Sequence, residues 1–222
     1  MTSPYDTISY DFILFDLDGT ISDPIEGIGR SINYALEHFG YAPLDRAAQV
    51  PWIGPPLFHS FKAHTGVEDE AHIKALIAKY RERYGDVGYA ENTIYPGIAE
   101  AVTALADSGV PLGLCTSKRA DFAERILELF GLRQHFRFVD GGDIHIEKWE
   151  QMARLRERGL VSTRSLMIGD REFDMIAAHR NGLSAAGVLW GYGSREELSA
   201  HQPAHLLTQP AELMRFAGTS SP

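Results

Sequence analysis

The chain has 222 residues, of which 44% are hydrophobic, and its formal net charge is −9. This composition supports a buried core, and an acidic chain without basic runs is unsuited to nucleic acid or to an acidic membrane surface. The one cysteine, Cys115, excludes an internal disulfide and is expected in the core. No apolar run reaches the about 20 residues of a membrane span. The first residues lack the pattern of a secretion signal, so we expect a cytoplasmic protein.

The first part of the chain begins with one apolar strand and continues as helices. Residues 11–15 are predicted to form a buried strand because four of them are apolar. Asp23 and Pro24 suit the first turn of the next helix. The predicted helices cover residues 23–40, 56–64 and 68–84. We therefore expect a helical segment without strands over roughly residues 22–92.

The rest of the chain alternates strands with helices. The predicted strands cover residues 110–115, 136–139, 165–168, 185–189 and 205–207. The predicted helices cover residues 98–108, 121–130, 147–158 and 174–181. This alternation predicts an α/β fold with a doubly wound parallel sheet. Residues 1–21 and 93–222 would form this core, and residues 22–92 an α-helical cap inserted after the first strand.

Polar side chains follow several of these strands. They are Asp16, Asp18 and Thr20 after the first strand, Thr116, Ser117 and Lys118 after the second, Lys148 before a later helix, and Asp170 and Asp174 after the strand at 165–168. Because ligands of open parallel sheets bind at the carboxyl ends of the strands, these groups are expected to meet at one edge. Clustered carboxylates repel one another unless a cation lies between them. Hard oxygen ligands without a Cys/His cluster favour Mg²⁺, and Mg²⁺ with hydroxyl and ammonium donors suits a phosphate group.

These positions resemble the haloacid dehalogenase superfamily of phosphohydrolases. "DLDGT" (16–20) is similar to its first motif, "CTSK" (115–118) to its second, Lys148 to its third and "GDREFD" (169–174) to its fourth. "GPPL" (54–57) and "YPG" (95–97) resemble the branch that contains phosphoglycolate phosphatases and 5′-nucleotidases, whose members carry an α-helical cap. Trp149 stands where this branch usually has proline, Arg119 follows the second motif, and Arg171 lies inside the fourth.

The resemblance implies a role for each motif. Asp16 would attack phosphorus, and Asp18 would protonate the leaving alcohol and then activate water. Asp16, the backbone carbonyl of Asp18, Asp170 and Asp174 would hold Mg²⁺ or its water shell. Thr116, Lys148, Thr20 and the Ser117 amide would serve the phosphoryl group. Gly54, Pro55 and Pro56 of the cap would contact substrate, whereas Lys118 and Arg119 are expected to be solvated.

The function implied is a Mg²⁺-dependent phosphatase of a small phosphorylated metabolite, of the phosphoglycolate or 5′-nucleotide type. Two alternatives stay open. One is a phosphosugar mutase of the same fold, and the other is a signalling module phosphorylated on aspartate, like a receiver domain. Neither nucleic acid nor a membrane is an expected partner, and the oligomeric state, monomer or homodimer, is left open.

Overall fold

The computed structural model describes residues 9–142 and 146–217. Its α/β core is a six-stranded sheet in the order β5-β4-β1-β6-β7-β8, in which all neighbouring strands are parallel. The strands of this sheet are β1 (Ile13–Phe15), β4 (Leu112–Thr116), β5 (Phe136–Gly141), β6 (Leu166–Gly169), β7 (Ser184–Val188) and β8 (His205–Leu207). The predicted fold class, a doubly wound parallel sheet, is confirmed.

Helices cover both faces of the sheet. The side chains of β1 accordingly alternate between two apolar clusters, one on each face. Ile13 and Phe15 lie in one cluster, and Leu14 lies in the other. All three are fully buried, as expected for a strand sandwiched between helices. The helices of the core are α5 (Ile98–Asp107), α6 (Ala120–Leu129), α7 (Lys148–Glu157), α8 (Glu172–Arg180) and α9 (Arg195–Ala200). Short 3₁₀ turns cover Arg133–His135 and Pro210–Phe216.

Between β1 and β4 the chain forms a group of helices with its own apolar cluster. These are α1 (Ile25–His38), α2 (Arg46–Gln49), α3 (Leu57–Thr65) and α4 (Glu70–Asp86), with 3₁₀ turns at Val50–Trp52 and Gly88–Ala90. Their cluster includes Ile32, Phe61 and Ile73, which are fully buried. Asp23 Oδ1 accepts a hydrogen bond from the Ile25 amide at 3.0 Å, so its carboxylate serves the first turn of α1 as expected.

One feature corrects the expectation of a stretch without strands. β2 (Ser22–Asp23) pairs antiparallel with β3 (Thr93–Ile94), so the segments that lead into and out of the helical group are tied to each other. Two residues per strand are too few to give an alternating pattern, and the sequence therefore does not reveal them. Among the described residues, no helix has both the length and the apolar character needed to cross a bilayer.

Candidate active site

The carboxyl ends of three adjacent strands bring the sequence motifs together. β1 lies between β4 and β6 in the sheet. Asp16 follows β1, Thr116 is the last residue of β4, and Asp170 follows β6. Since all three strands are parallel, these residues lie at the same edge.

Three carboxylates form a compact acidic centre at this edge. Asp16, Asp170 and Asp174 each offer an oxygen, and these oxygens lie within 4.8 Å of one another. All three residues are buried. Asp174 lies in the first turn of α8, where its Oδ2 accepts a hydrogen bond from the Arg171 amide at 3.0 Å. The cluster therefore joins the first and fourth sequence motifs.

Lys148 supplies positive charge to this centre. Its Nζ lies 2.9 Å from Asp16 Oδ1, as an ion pair without hydrogen-bond geometry, and donates a hydrogen bond to Asp174 Oδ1 at 2.5 Å. Burial alone would lower the pKa of Lys148, but the two carboxylates outweigh it and raise that pKa above its usual value. Lys148 begins α7, where Glu147 and Glu150 form a reciprocal capping box.

Burial disfavours the charged form of both carboxyl groups of the fourth motif. Burial raises the pKa of Asp170 well above its usual range, and the nearby Asp174 and Asp16 raise it further. Burial also raises the pKa of Asp174, to about 6, although Lys148 acts in the opposite direction. Among the described residues, Asp170 forms no ion pair with a basic side chain. The centre thus holds more negative charge than Lys148 alone balances.

A loop after β7 completes the surroundings of Asp170, and no sequence motif marks this contact. The Tyr192 amide donates to Asp170 Oδ2 at 2.8 Å. Thr20 also serves this carboxylate: its hydroxyl lies 3.4 Å from Asp170 Oδ1, and its carbonyl accepts from Trp190 Nε1 at 2.9 Å. Thr20 is fully buried, and its expected contact with substrate stays a prediction.

Glycines allow the backbone to approach these carboxylates closely. A Cβ added at Gly19 would lie 2.0 Å from Asp170 Oδ2, and one at Gly169 would lie 2.1 Å from Asp174 Cγ. Gly19 also has φ +84°, which an L side chain rarely adopts. Side chains at these two positions would therefore displace the carboxylates of Asp170 and Asp174.

Asp18 lies apart from the acidic centre and has its own cation. Its Oδ2 lies 2.9 Å from Lys118 Nζ, while its Oδ1 is buried without a hydrogen-bond partner among the residues that the structure describes. Lys118 Nζ also donates to the Tyr84 hydroxyl at 2.6 Å and lies 4.6 Å from the centre of that ring. The Lys118 side chain is only 7% exposed, so the expectation that it is solvated is wrong. Burial raises the pKa of Asp18 although Lys118 opposes this.

Thr116 and Ser117 differ in exposure. Thr116 is buried, and its Oγ1 accepts a hydrogen bond from the Lys118 amide at 3.3 Å. Its carbonyl accepts from Gln151 Nε2 at 3.2 Å, which anchors the end of β4 to α7. Ser117 is exposed, and both residues line the cavity beside Asp16 and Asp18.

A cavity of about 120 Å³ lies between the strand ends and the helical group. Asp16 and Asp18 line its floor, and the expected contact residues Gly54, Pro55 and Pro56 line it from the helical group. Its aromatic lining residues are Trp52, Phe58, Tyr80, Tyr84 and Phe122. Arg81 and Arg119 also line it. The walls are thus largely apolar, whereas the floor is acidic.

The two arginines that depart from the family pattern have distinct positions. Arg171 Nη1 donates to the Ile53 carbonyl at 2.7 Å, and its Nε donates to Glu197 at 2.8 Å. Arg171 therefore connects the helical group with the core. Arg119 forms a two-point ion pair with Asp121, at 2.9 and 2.6 Å, and its side chain is 41% exposed.

Comparison with known proteins matches most of the chain to one family. The model of the family described as haloacid dehalogenase-like hydrolase matches residues 13–188. A protein of Pseudomonas aeruginosa named 5′-nucleotidase is 40% identical over 93% of this chain and 95% of its own length. A phosphoglycolate phosphatase of Yersinia pestis is 29% identical, over 94% of each chain.

Two further matches extend the comparison. The tyrosine-protein kinase PtkA of Mycobacterium tuberculosis is 35% identical over 82% of this chain, which spans 62% of that longer protein. The crystal structure of a predicted phosphatase from Clostridium acetobutylicum is 35% identical and superposes with a TM-score of 0.86, covering 92% of this chain and 96% of that one. The described fold is therefore shared with solved phosphatase structures.

Proposed function

Because the chain belongs to the haloacid dehalogenase-like hydrolases, we propose that it is a Mg²⁺-dependent phosphatase that hydrolyses the phosphomonoester of a small metabolite through an aspartyl-phosphate at Asp16. The acidic centre of Asp16, Asp170 and Asp174 beside the cavity supports this most directly. Relatives named 5′-nucleotidase and phosphoglycolate phosphatase agree with it.

The donor set suits a divalent cation. Three buried carboxylates lie within 4.8 Å of one another, and the pKa of Asp170 is raised by burial and by its acidic neighbours. Oxygen ligands alone favour Mg²⁺ over softer metals. Asp16, Asp170 and Asp174 would hold the ion, with the backbone carbonyl of Asp18. Bound there, Mg²⁺ would neutralise charge on the phosphoryl oxygens.

Asp16 is the proposed nucleophile. One of its carboxylate oxygens attacks phosphorus, and the bond between phosphorus and the leaving oxygen breaks. Lys148 stabilises the negative charge that develops on the phosphoryl group, since its ammonium already lies 2.9 Å from Asp16 Oδ1. Thr116 and the Ser117 amide hold the phosphoryl oxygens at the end of β4.

Asp18 is the proposed acid and base. In the first step its carboxylic acid gives a proton to the leaving oxygen, and in the second its carboxylate takes a proton from the water that attacks the aspartyl-phosphate. This releases inorganic phosphate and restores Asp16. The buried Asp18 Oδ1, which has no hydrogen-bond partner within the described ranges, is available for both transfers.

The residues of the cavity walls indicate which class of substrate fits best. A nucleoside would present a flat ring to the aromatic lining, which includes Tyr80 and Phe122, whereas glycolate would present only a small carboxylate. We therefore place 5′-nucleotides ahead of phosphoglycolate. The test is phosphate release with Mg²⁺ across a panel of phosphorylated metabolites, with Asp16→Asn as the blank. Release from phosphoglycolate alone would reverse the ranking, and release from no phosphomonoester would overturn the proposed function.

A further inference from the structure

Three side chains link the helical group to Asp18. Tyr84 lies on α4, Lys118 lies after β4, and Asp18 lies after β1. Lys118 Nζ contacts both of the others, at 2.6 Å from the Tyr84 hydroxyl and 2.9 Å from Asp18 Oδ2. The residues are nearly or fully buried, with Tyr84 1% exposed and the Lys118 side chain 7% exposed. This is an internal connection rather than a surface ion pair.

The contact divides the two oxygens of Asp18. Lys118 holds Oδ2, and Oδ1 is left buried without a hydrogen-bond partner in the described part of the chain. A carboxyl group that turns freely would present either oxygen to the leaving group, in varying geometry. One that is fixed at Oδ2 presents Oδ1 alone, and proton transfer requires such geometry to within hydrogen-bond reach.

We propose that Lys118, held by Tyr84 of the helical group, is a positioning residue that fixes Asp18 so that Oδ1 faces the leaving oxygen. The inference rests on the proposed phosphatase function and adds to it that the helical group takes part in orienting the acid. Tyr84 holds Lys118 in two ways, by its hydroxyl and by its ring, which lies 4.6 Å from Nζ. The proton-transfer step therefore depends on a contact that crosses between α4 and the core.

Leaving-group chemistry tests this role. An alkyl phosphate needs a proton on its leaving oxygen, whereas p-nitrophenyl phosphate releases a stable phenolate and needs little help. In Lys118→Met we expect kcat/KM, which reports the steps up to departure of the leaving group, to fall about 10- to 100-fold for the alkyl ester, a part of the usual contribution of general acid catalysis. For the aryl ester we expect kcat/KM to fall by under about threefold, because its leaving oxygen needs little protonation and the nucleophile is unchanged.

Two further variants keep the test informative if Lys118→Met folds poorly. Lys118→Arg retains the charge and should recover part of the alkyl-ester rate. Tyr84→Phe retains the ring but loses the hydroxyl, so it should lower the alkyl-ester kcat/KM by less than Lys118→Met does. Tyr34→Phe is its matched control: the Tyr34 ring also lies beside a lysine ammonium, 4.7 Å from Lys79 Nζ, and its hydroxyl donates to Glu82, but Tyr34 is not among the described lining residues of the cavity.

Melting temperatures test the same contact without any catalytic reaction. Tyr84→Phe and Lys118→Met should lower the melting temperature less together than the sum of their separate effects, because both remove the same contact. Additive effects would contradict the contact between them.

The outcomes separate the inference from the proposed function. An equal loss of kcat/KM on both esters would make Lys118 a substrate-binding residue and overturn the inference alone. Equal effects of Tyr84→Phe and Tyr34→Phe would remove Tyr84 from it. A wild-type protein that hydrolyses neither ester would overturn the proposed function, and the inference with it.

Discussion

Lys148 Nζ lies 2.5 Å from Asp174 Oδ1, although 26 residues separate them in the chain. Its other contact is Asp16, so one buried ammonium joins the residue proposed as nucleophile to the fourth motif. Removing one partner of a buried pair costs about 3–5 kcal/mol because the remaining charge is left uncompensated. Lys148 is therefore important to both the stability and the chemistry of the site.

We expect Lys148→Met to lower kcat by well over tenfold, which is more than about 1.4 kcal/mol of transition-state stabilisation, and to lower the melting temperature at neutral pH. Lys74→Met is the control, since Lys74 forms an exposed ion pair with Glu70. A kcat for Lys148→Met within a few fold of wild type would reject the third-motif assignment.

Asp16→Asn tests the nucleophile. Phosphate release should fall by at least about 10³-fold, because an amide oxygen is a poor nucleophile, while the circular dichroism spectrum should be unchanged. Reduction of the quenched wild-type reaction with borohydride should convert Asp16 to homoserine, which peptide mass spectrometry detects. Homoserine at another aspartate would move the nucleophile to that position.

The acidic centre predicts how the stability of the metal-free protein depends on pH. The pKa of Asp174 rises from 3.8 to about 6 on folding, so between these values the native state holds a proton that the unfolded chain has released. This contribution makes the free energy of unfolding fall as pH rises from about 4 to 6. Mg²⁺ should accordingly raise the melting temperature more at pH 7.5 than at pH 5.

Asp170→Asn isolates the charge that burial disfavours. It should stabilise the metal-free protein at pH 7.5, by about 1 kcal/mol or about 2–4 °C, because a buried carboxylate without a described ion-pair partner is removed. It should also abolish phosphate release and the stabilisation by Mg²⁺. A variant that Mg²⁺ still stabilises as strongly as wild type would show that the ion binds elsewhere.

Gly19 and Gly40 provide a matched pair of substitutions. Both have positive φ, at +84° and +80°, so alanine carries similar backbone strain of about 1–2 kcal/mol at either position. Apart from its neighbours in the chain, no described residue has an atom within 4 Å of a Cβ added at Gly40, whereas one at Gly19 would lie 2.0 Å from Asp170 Oδ2. We expect Gly19→Ala to lose activity and Mg²⁺ affinity and Gly40→Ala to lose only stability. Equal activities would show that Asp170 can shift without penalty.

Arg171→Met tests the connection between Arg171 and Ile53. Losing a hydrogen bond from a charged donor, worth roughly 1.5 kcal/mol, should raise KM about tenfold if that contact holds the helical group over the substrate. Arg156→Met is the control, because Arg156 donates to the Asn181 carbonyl within the core. Similar KM values for the two variants would limit Arg171 to a structural role.

Local patterns in the sequence predicted the order of the core elements, since buried strands and amphipathic helices have distinct periodicities. The same logic located Asp16, Thr116 and Asp170 at one edge, because parallel strands align their carboxyl ends. These inferences need only the direction of each strand. They do not need the course of any loop.

The parts that escaped prediction depend on loops and on contacts between distant segments. Tyr192 reaches Asp170 through its backbone amide, which any residue type could supply. Lys118 contacts Tyr84, 34 residues away, and the sequence does not reveal that contact. Thr20 donates to Asp170 through its hydroxyl and accepts from Trp190 Nε1 through its carbonyl, and both partners are distant from it in the sequence.

The pairing of Ser22–Asp23 with Thr93–Ile94 brings the two ends of the intervening segment side by side. Paired antiparallel strands lie about 5 Å apart, so the chain leaves and re-enters the core at two adjacent points, whatever segment lies between them. A helical group taken from another member of the family and joined at these two points would leave the strand order of the six-stranded sheet unchanged. Exchange of the helical group between relatives is thus a practical route to a new substrate preference on the same α/β core.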